Sequence, residues 1–342
     1  MSSKSLTDEL TTVAGVASAV AKHAMSYGID IAPICKALEI DPESFQSLTS
    51  RISIDRLCRL LEACALLAND DAFGLTCVRN FVAGASGPFG YGVMSAPTGR
   101  DFVHFVKEHT QYVTHTSYCH LEFDDRGARL TWTFAPVIVK RDQYVDMALG
   151  LLMQRARDIS GQANEIIEIE LERPRPKQPH LFRELLARKV SFECRFNSIR
   201  FSNAFLEARN PRGDRRLYEL MDLQCRAMRP EPTLLDSDFI DQVRKYLFLH
   251  ISEQSFALAE IAPYFGLSER TFQRRLADHK TSLNELRDDV RRDISHNLLT
   301  TSDLPISEIC YRLGYSAPSA FTRSVTRWFG VTPRDLREQK SA

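Results

Sequence analysis

The chain has 342 residues, with 44 Lys and Arg against 44 Asp and Glu, so at neutral pH nothing in its overall charge pulls it toward nucleic acid. Apolar residues make up 44% and charged residues 26%, the balance of a soluble globular protein long enough for two domains with separate cores. No apolar run approaches the ~20 residues that span a bilayer, and no hydrophobic leader follows a basic start, so a cytoplasmic protein with no membrane-spanning helix is expected.

In chain order, the first eighty residues read as helical. Val13, Val16, Ala17, Val20 and Ala24 recur at helical intervals from Leu10 to Tyr27, and Gly28 stops the run. A second helix is expected from Ile31 to Leu38, and a third, strongly periodic, from Ile54 to Ala68 with Asn69-Asp70-Asp71 as its exit. Gly84 to Gly92 is the most glycine-dense stretch. Pro88 stands where a G-x-S-x-G nucleophile elbow needs its last Gly, and the Lys and Ser or Thr of a phosphate loop are missing. The expected meaning is a tight lead-in to a helix carrying Tyr91, Val93 and Met94. Gly99 to Val113 should form the next helix, with Phe102, Phe105, Val106 and His109 on one face. His104, His109, His115 and His120 are spaced by five, six and five residues, which argues against metal ligands on a helix.

The period then changes to two. Ser117 to Phe123 and Ala128 to Phe134 flank the turn sequence Asp124-Asp125-Arg126-Gly127 and read as a β-hairpin. A long helix is expected from Gln143 to Ile159, a half-buried strand from Glu165 to Leu171 and a helix from Leu181 to Ala187. Extended segments are expected at Val190 to Phe196 and Ser198 to Phe201. The first domain is therefore α+β, mostly helical with a small sheet. Tyr91, Met94, Phe105, Tyr112, Trp132 and Phe134 either line an apolar pocket or pack as core, and core is the favoured reading. A helix from Leu217 to Met228 lies between Asn210-Pro211-Arg212-Gly213 and Arg229-Pro230-Glu231-Pro232-Thr233, whose prolines make a semi-rigid connector. Eight cysteines, Cys35, Cys58, Cys64, Cys77, Cys119, Cys194, Cys225 and Cys310, include no C-x-x-C pair, so buried reduced thiols are expected.

The last third, from about Phe256 to Pro333, holds one short pattern twice. Glu260, Ile261, Gly266 and Ser268 recur as Glu308, Ile309, Gly314 and Ser316, and Phe272, Gln273 and Arg274 answer to Phe321, Thr322 and Arg323. Each copy has the physics of a helix-turn-helix. A short helix ends at a Gly able to turn left-handed, Leu267 or Tyr315 follows, and Ser268 or Ser316 stands as N-cap of a second helix. On that helix Phe272 and Leu276, or Phe321 and Val325, point inward. Arg270, Gln273 and Arg274, or Ser319, Thr322 and Arg323, point outward, where such side chains can reach base edges in a major groove. Between the copies, Leu283, Leu286, Val290, Ile294 and Leu298 predict one continuous helix. Phe239 to Ile251 reads as the opening helix of the same domain. From Asp238 onward 15 Lys and Arg face 14 Asp and Glu, so binding must rest on a few placed arginines and on doubling of sites in a dimer.

These residues resemble the AraC/XylS transcription regulators, whose DNA-binding domain has two helix-turn-helix units joined by a long helix and a closing segment like Trp328-Phe329-Gly330-Val331-Thr332-Pro333-Arg334. The resemblance implies that Arg270, Gln273, Arg274, Ser319, Thr322 and Arg323 face bases or adjacent phosphates. Two residues depart from an ordinary pattern: Pro263 inside the first helix, where a kink is expected, and Pro318 early in the second recognition helix. The front part is similar to the arabinose-binding-like effector domains of one branch of the family, with the Gly-rich turn, Ser95 to Thr98, a helix and a hairpin in order. The implied layout is an effector-binding and dimerisation domain at 1–209, a linker at 210–235, and an all-α double helix-turn-helix domain at 236–342. The implied function is a bacterial regulator, an activator, with promoter DNA, RNA polymerase, a small-molecule effector and a second copy of itself as partners. No catalytic residue, cofactor or metal is expected. The alternatives are an enzyme fused to a DNA-binding module, against which the dispersed cysteines speak, and a DNA-binding protein that senses no ligand.

Overall fold

The computed structural model describes residues 10–47, 49–82, 84–115, 117–161, 166–228, 239–252 and 258–338. The chain divides into two compact units, Met1–Thr133 with Lys140–Arg229 and Phe134–Val139 with Pro230–Ala342.

The first unit opens on a strand, β1 (Thr11–Val13), where the sequence pattern suggested the start of a helix. Three consecutive β-branched residues favour extended backbone, and β1 pairs antiparallel with β2 (Arg51–Ser53), Thr12 opposite Ile52. The first helix, α1 (Ala17–Ser26), begins only after a short 3-10 turn, so the first eighty residues are not wholly helical. Helices α2 (Ala32–Ala37) and α3 (Ile54–Ala68) lie where periodicity put them. Ser53 caps α3 by accepting the Arg56 backbone N–H, and Asn69 closes it in left-handed conformation at φ 47°. Past α4 (Phe73–Cys77), the glycine-dense stretch turns at Gly84 and runs on into α5 (Gly87–Ser95), which takes in Gly87, Gly90 and Gly92. Gly84 and Gly87 take φ of 85° and 58°, and Pro88 fills the first turn of α5. Thr98 then caps α6 (Gly99–Val113).

The hairpin forms as β3 (Ser117–Asp124) and β4 (Gly127–Phe134), followed by α7 (Asp142–Ser160). Next come β5 (Ile166–Glu170), α8 (Pro179–Leu185), β6 (Val190–Ser191), β7 (Asn197–Ser202), α9 (Asn203–Glu207) and α10 (Arg215–Ala227). Five strands make one sheet in the order β3-β4-β7-β5-β6; β7 is antiparallel to β4 and β5, and β6 is parallel to β5. The long extended run expected at 190–196 shortens to two residues because Glu193 takes a left-handed φ of 58°, which no ladder accommodates. Phe102, Phe201 and Phe205 close the core between α6 and the sheet, with the Phe201 and Phe205 rings stacked at 4.7 Å. Phe105, Tyr112, Trp132 and Phe134 are buried while Tyr91 is 41% exposed, so this aromatic set is mainly core and not the lining of one pocket. The proline segment Arg229 to Thr233 lies outside the described residues, as do Glu165, Phe256 and the 235/236 boundary.

Every described element from 239 to 338 is a helix: α11 (Phe239–His250), α12 (Leu258–Tyr264), α13 (Glu269–Asp278), α14 (Leu283–Thr301), α15 (Ile306–Arg312), α16 (Pro318–Phe329) and α17 (Pro333–Glu338). The 19 residues of α14 make a rod of about 28 Å. Its apolar stripe Leu286, Val290, Ile294 and Leu298 is buried, and α11, α15, α16 and α17 all pack against it. Phe239, Phe265 and Phe272 form a ring cluster with centroids 5.4 to 5.9 Å apart.

Candidate nucleic-acid interface

The two repeats fold into two helix pairs closed by the same backbone turn. In the first, Gly266 sits at φ 65° and the Leu267 N–H reaches the Ala262 carbonyl at 3.0 Å. In the second, Gly314 sits at φ 72° and the Tyr315 N–H reaches the Cys310 carbonyl at 3.1 Å. A positive φ at these sites frees the last helical carbonyls to accept such bonds, which is why glycine recurs there. Pro263 is the penultimate residue of α12, in its last turn, so the helix runs through it and ends one residue later.

The second helix of each pair starts differently. Ser268 is the N-cap of α13, its hydroxyl accepting the Thr271 backbone N–H at 3.3 Å. Ser316 is not the N-cap of α16. The extra residue of the second copy moves that place to Ala317, which makes no side-chain cap, and Pro318, with no N–H to satisfy, opens the helix. The inward residues behave as their spacing requires: Phe272, Phe321 and Val325 are fully buried and Leu276 nearly so.

The outward residues are free of the fold. Arg270, Gln273 and Arg274 on α13 are exposed, as are Ser319 and Arg323 on α16, with Thr322 half-buried. Among the described residues none of the six makes a side-chain hydrogen bond or ion pair, whereas other arginines of this unit are engaged by carboxylates or a ring. Arg312 binds Glu308 at 2.7 Å, Arg327 binds Asp288 at 2.7 Å, and Arg275 lies 5.6 Å over the Phe239 ring. A guanidinium left unpaired in water on a helix face does nothing for the core, and each helix pair keeps its own.

The framework residues behind that face were not singled out by sequence reasoning. Arg291, on α14, donates to the carbonyls of Leu313 at 2.9 Å and Gly314 at 3.3 Å, and its guanidinium lies 4.5 Å over the Tyr315 ring. Burial draws its pKa down from the ordinary arginine value, yet an arginine keeps its proton in any case. Asp288, one turn earlier, accepts from Arg327 and from the Trp328 indole N–H, both at 2.7 to 2.8 Å. The only sequence signal was the charge-rich run Asp288 to Asp293, which reads equally as a solvated helix face.

Elsewhere, all eight cysteines are free thiols, seven buried and Cys194 half-buried. Burial pushes the Cys77 and Cys119 thiols up to about 12. Among the described residues no three His, Cys, Asp or Glu side chains group as metal ligands, and no helix is long and apolar enough to cross a membrane.

Two family models match the chain: the arabinose-binding domain of AraC transcription regulators, N-terminal, over residues 28–210, and a helix-turn-helix domain over 261–339. The ornithine utilization regulator of Pseudomonas aeruginosa is 23% identical over 333 residues, 97% of either chain. An uncharacterized helix-turn-helix-type transcriptional regulator of Mycobacterium tuberculosis is 24% identical over 90% of this chain and 91% of its own. The virulence regulon transcriptional activator VirF of Shigella flexneri is 30% identical over 131 residues, 36% of this chain and 49% of VirF.

Proposed function

We propose that this chain, which belongs to the AraC family of transcription regulators, reads promoter DNA with two helix-turn-helix units, α12 with α13 and α15 with α16, carried on the rod α14. In this reading residues 1–209 bind a small-molecule effector and pair with a second copy, 210–235 connect, and 236–342 bind DNA. Effector binding changes how the two units meet the duplex and what surface meets RNA polymerase, so that transcription rises. The reading needs neither a catalytic residue nor a cofactor.

The observation that carries it is the exposed, unpaired face of Arg270, Gln273 and Arg274 on a helix that Ser268 caps and Phe272 anchors. Arginine can bond guanine O6 and N7 together, and glutamine can do the same for adenine N6 and N7. Ser319, Thr322 and Arg323 are assigned the second groove. In this reading α13 and α16 meet consecutive major-groove faces, which lie about 34 Å apart.

The test begins by mapping the DNA segments that the chain occupies genome-wide and taking the strongest as the operator. In a mobility-shift titration, Arg274→Ala should lose about 1 to 3 kcal/mol of operator binding, roughly 5- to 150-fold, and relax the preference at one base pair. Operator affinity left unchanged by Arg274→Ala would remove α13 from the groove.

A further inference from the structure

In the first unit a partly open cleft lies between α5 and α7, lined by Phe89, Val93, Met94 and Leu152, with Arg155 as its one charged side chain and Ser86 as its hydroxyl. Its volume of about 20 Å³ holds a water molecule and little more, so a larger guest must displace a wall. Phe89, Val93 and Leu152 are almost wholly buried. The Arg155 side chain is 15% exposed, and the partner the structure gives it is Asp158 at 3.2 Å, which is itself 45% exposed. A solvated pair one helical turn apart contributes little, so a carboxylate arriving from solution can take Asp158's place on the guanidinium.

The cleft is tied to the element that leads out of the unit. Asn210 donates through Nδ2 to the carbonyls of Met94 at 2.9 Å and Ala96 at 2.8 Å, gripping the C-terminal end of α5. The Asp214 backbone N–H bonds the Ser95 carbonyl at 2.9 Å, and Asp214 is the N-cap of α10. Gly213 passes so near Pro97 that a Cβ there would stand 2.9 Å from its Cα. The end of α5 and the start of α10 are therefore one mechanical piece. On the other side of α5, the chain turns through Gly84 and Gly87 at φ of 85° and 58°, and the Gly87 N–H bonds the Gly84 carbonyl at 2.7 Å.

We infer that this cleft is the effector site of the regulator read above, that it takes a small molecule with an apolar body and one carboxylate, and that Asn210 passes the displacement of α5 to α10. The inference rests on that reading. The chemistry follows from an apolar wall that ends in a single guanidinium. The switching follows because a guest that fits only the widened cleft favours the state in which α5 has moved.

The full chain is titrated by calorimetry with benzoate, hexanoate and their primary amides, and operator affinity is read by fluorescence anisotropy with and without each acid. At least one acid should bind and change operator affinity, and its amide should bind much less. Arg155→Met should weaken the acid about tenfold or more while operator binding without acid stays at the wild-type level. Gly90→Ala, whose methyl would meet nothing nearer than Ser86 at 3.5 Å, should fill the void and weaken the acid too. Asn210→Ala should still bind the acid but no longer pass its effect to DNA. Failure of both acids at millimolar concentration, or binding that survives Arg155→Met and Gly90→Ala together, overturns the site. An Asn210→Ala chain whose operator affinity still responds to acid overturns the coupling. The regulator reading fails separately, if the wild-type chain binds no mapped operator in either state.

Discussion

Replacing Arg291 with Met should loosen the second helix pair and leave the first intact. The substitution keeps an unbranched apolar stem but removes two hydrogen bonds, to the Leu313 and Gly314 carbonyls at 2.9 and 3.3 Å, and the guanidinium 4.5 Å over Tyr315. A hydrogen bond from a charged donor is worth about 1.5 to 3 kcal/mol, with the longer bond at the weak end, and a half-buried cation over a ring adds about 0.5 to 2 kcal/mol. These share one group and do not simply add; about 2 to 3 kcal/mol of local stability is the working figure. Hydrogen exchange followed by mass spectrometry on the full chain reads this directly. Amides of α15 and α16 should exchange about 30- to 150-fold faster, while those of α12 and α13 keep their rates. Arg291→Lys, with one ammonium in place of a two-pronged fork, should recover only part of the protection. Unchanged exchange over 306–329 would refute the role given to Arg291, and equal acceleration in α13 would show a global loss and no local clamp.

Helices α13 and α16 should also respond differently to loss of their serines. Ser268→Ala removes a cap and should cost about 1 kcal/mol, whereas Ser316→Ala, which caps nothing, should stay within about 0.5 kcal/mol in urea unfolding; equal losses would contradict the shifted start of α16. In the first unit, burial alone would push the Asp222 carboxyl up, but hydrogen bonds with Arg226 and His109 hold it below its ordinary 3.8. A folded pKa lowered in this way stabilises above the unfolded value and is lost as pH falls through the folded one. The melting-temperature gap between wild type and Asp222→Asn should therefore be flat near neutrality and shrink below about pH 4. A gap that stays constant down to about pH 3 would refute this role for Asp222.

Long periodic segments with caps were legible from sequence to the residue. Helices α3 and α6 begin beside Ser53 and Thr98, whose hydroxyls take the first free backbone N–H groups, and both run where apolar spacing put them. What stayed hidden depended on partners far along the chain or on single backbone angles. Thr11 to Val13 continue the apolar rhythm of α1 and become a strand only because Arg51 to Ser53 stand opposite. Glu193 ends β6 through a φ that no side-chain pattern announces. At the candidate interface, the repeat located the outward residues because each copy calibrates the other. Arg291 escaped notice because a charge on a helix looks solvated until the carbonyls it serves, 22 residues on, are known.

If both helix pairs meet DNA as proposed, that framework makes them unequal. On α13 two guanidiniums, Arg270 and Arg274, are exposed and unpaired beside Gln273, while on α16 Arg327 is held by Asp288 and Arg323 alone is exposed and unpaired, flanked by Ser319 and Thr322. Short hydroxyl side chains bond phosphates or several base edges alike, so they discriminate weakly. Within the proposed function, α13 sets sequence preference and α16 mainly secures register on the backbone. Arg323→Ala should then weaken operator and unrelated DNA by similar factors and lower the slope of log affinity against log salt by about one, in contrast to the base-specific relaxation expected of Arg274→Ala. Salt titrations on both duplexes decide it: a loss confined to the operator, or a slope left unchanged, would make Arg323 a base reader and the two units equals.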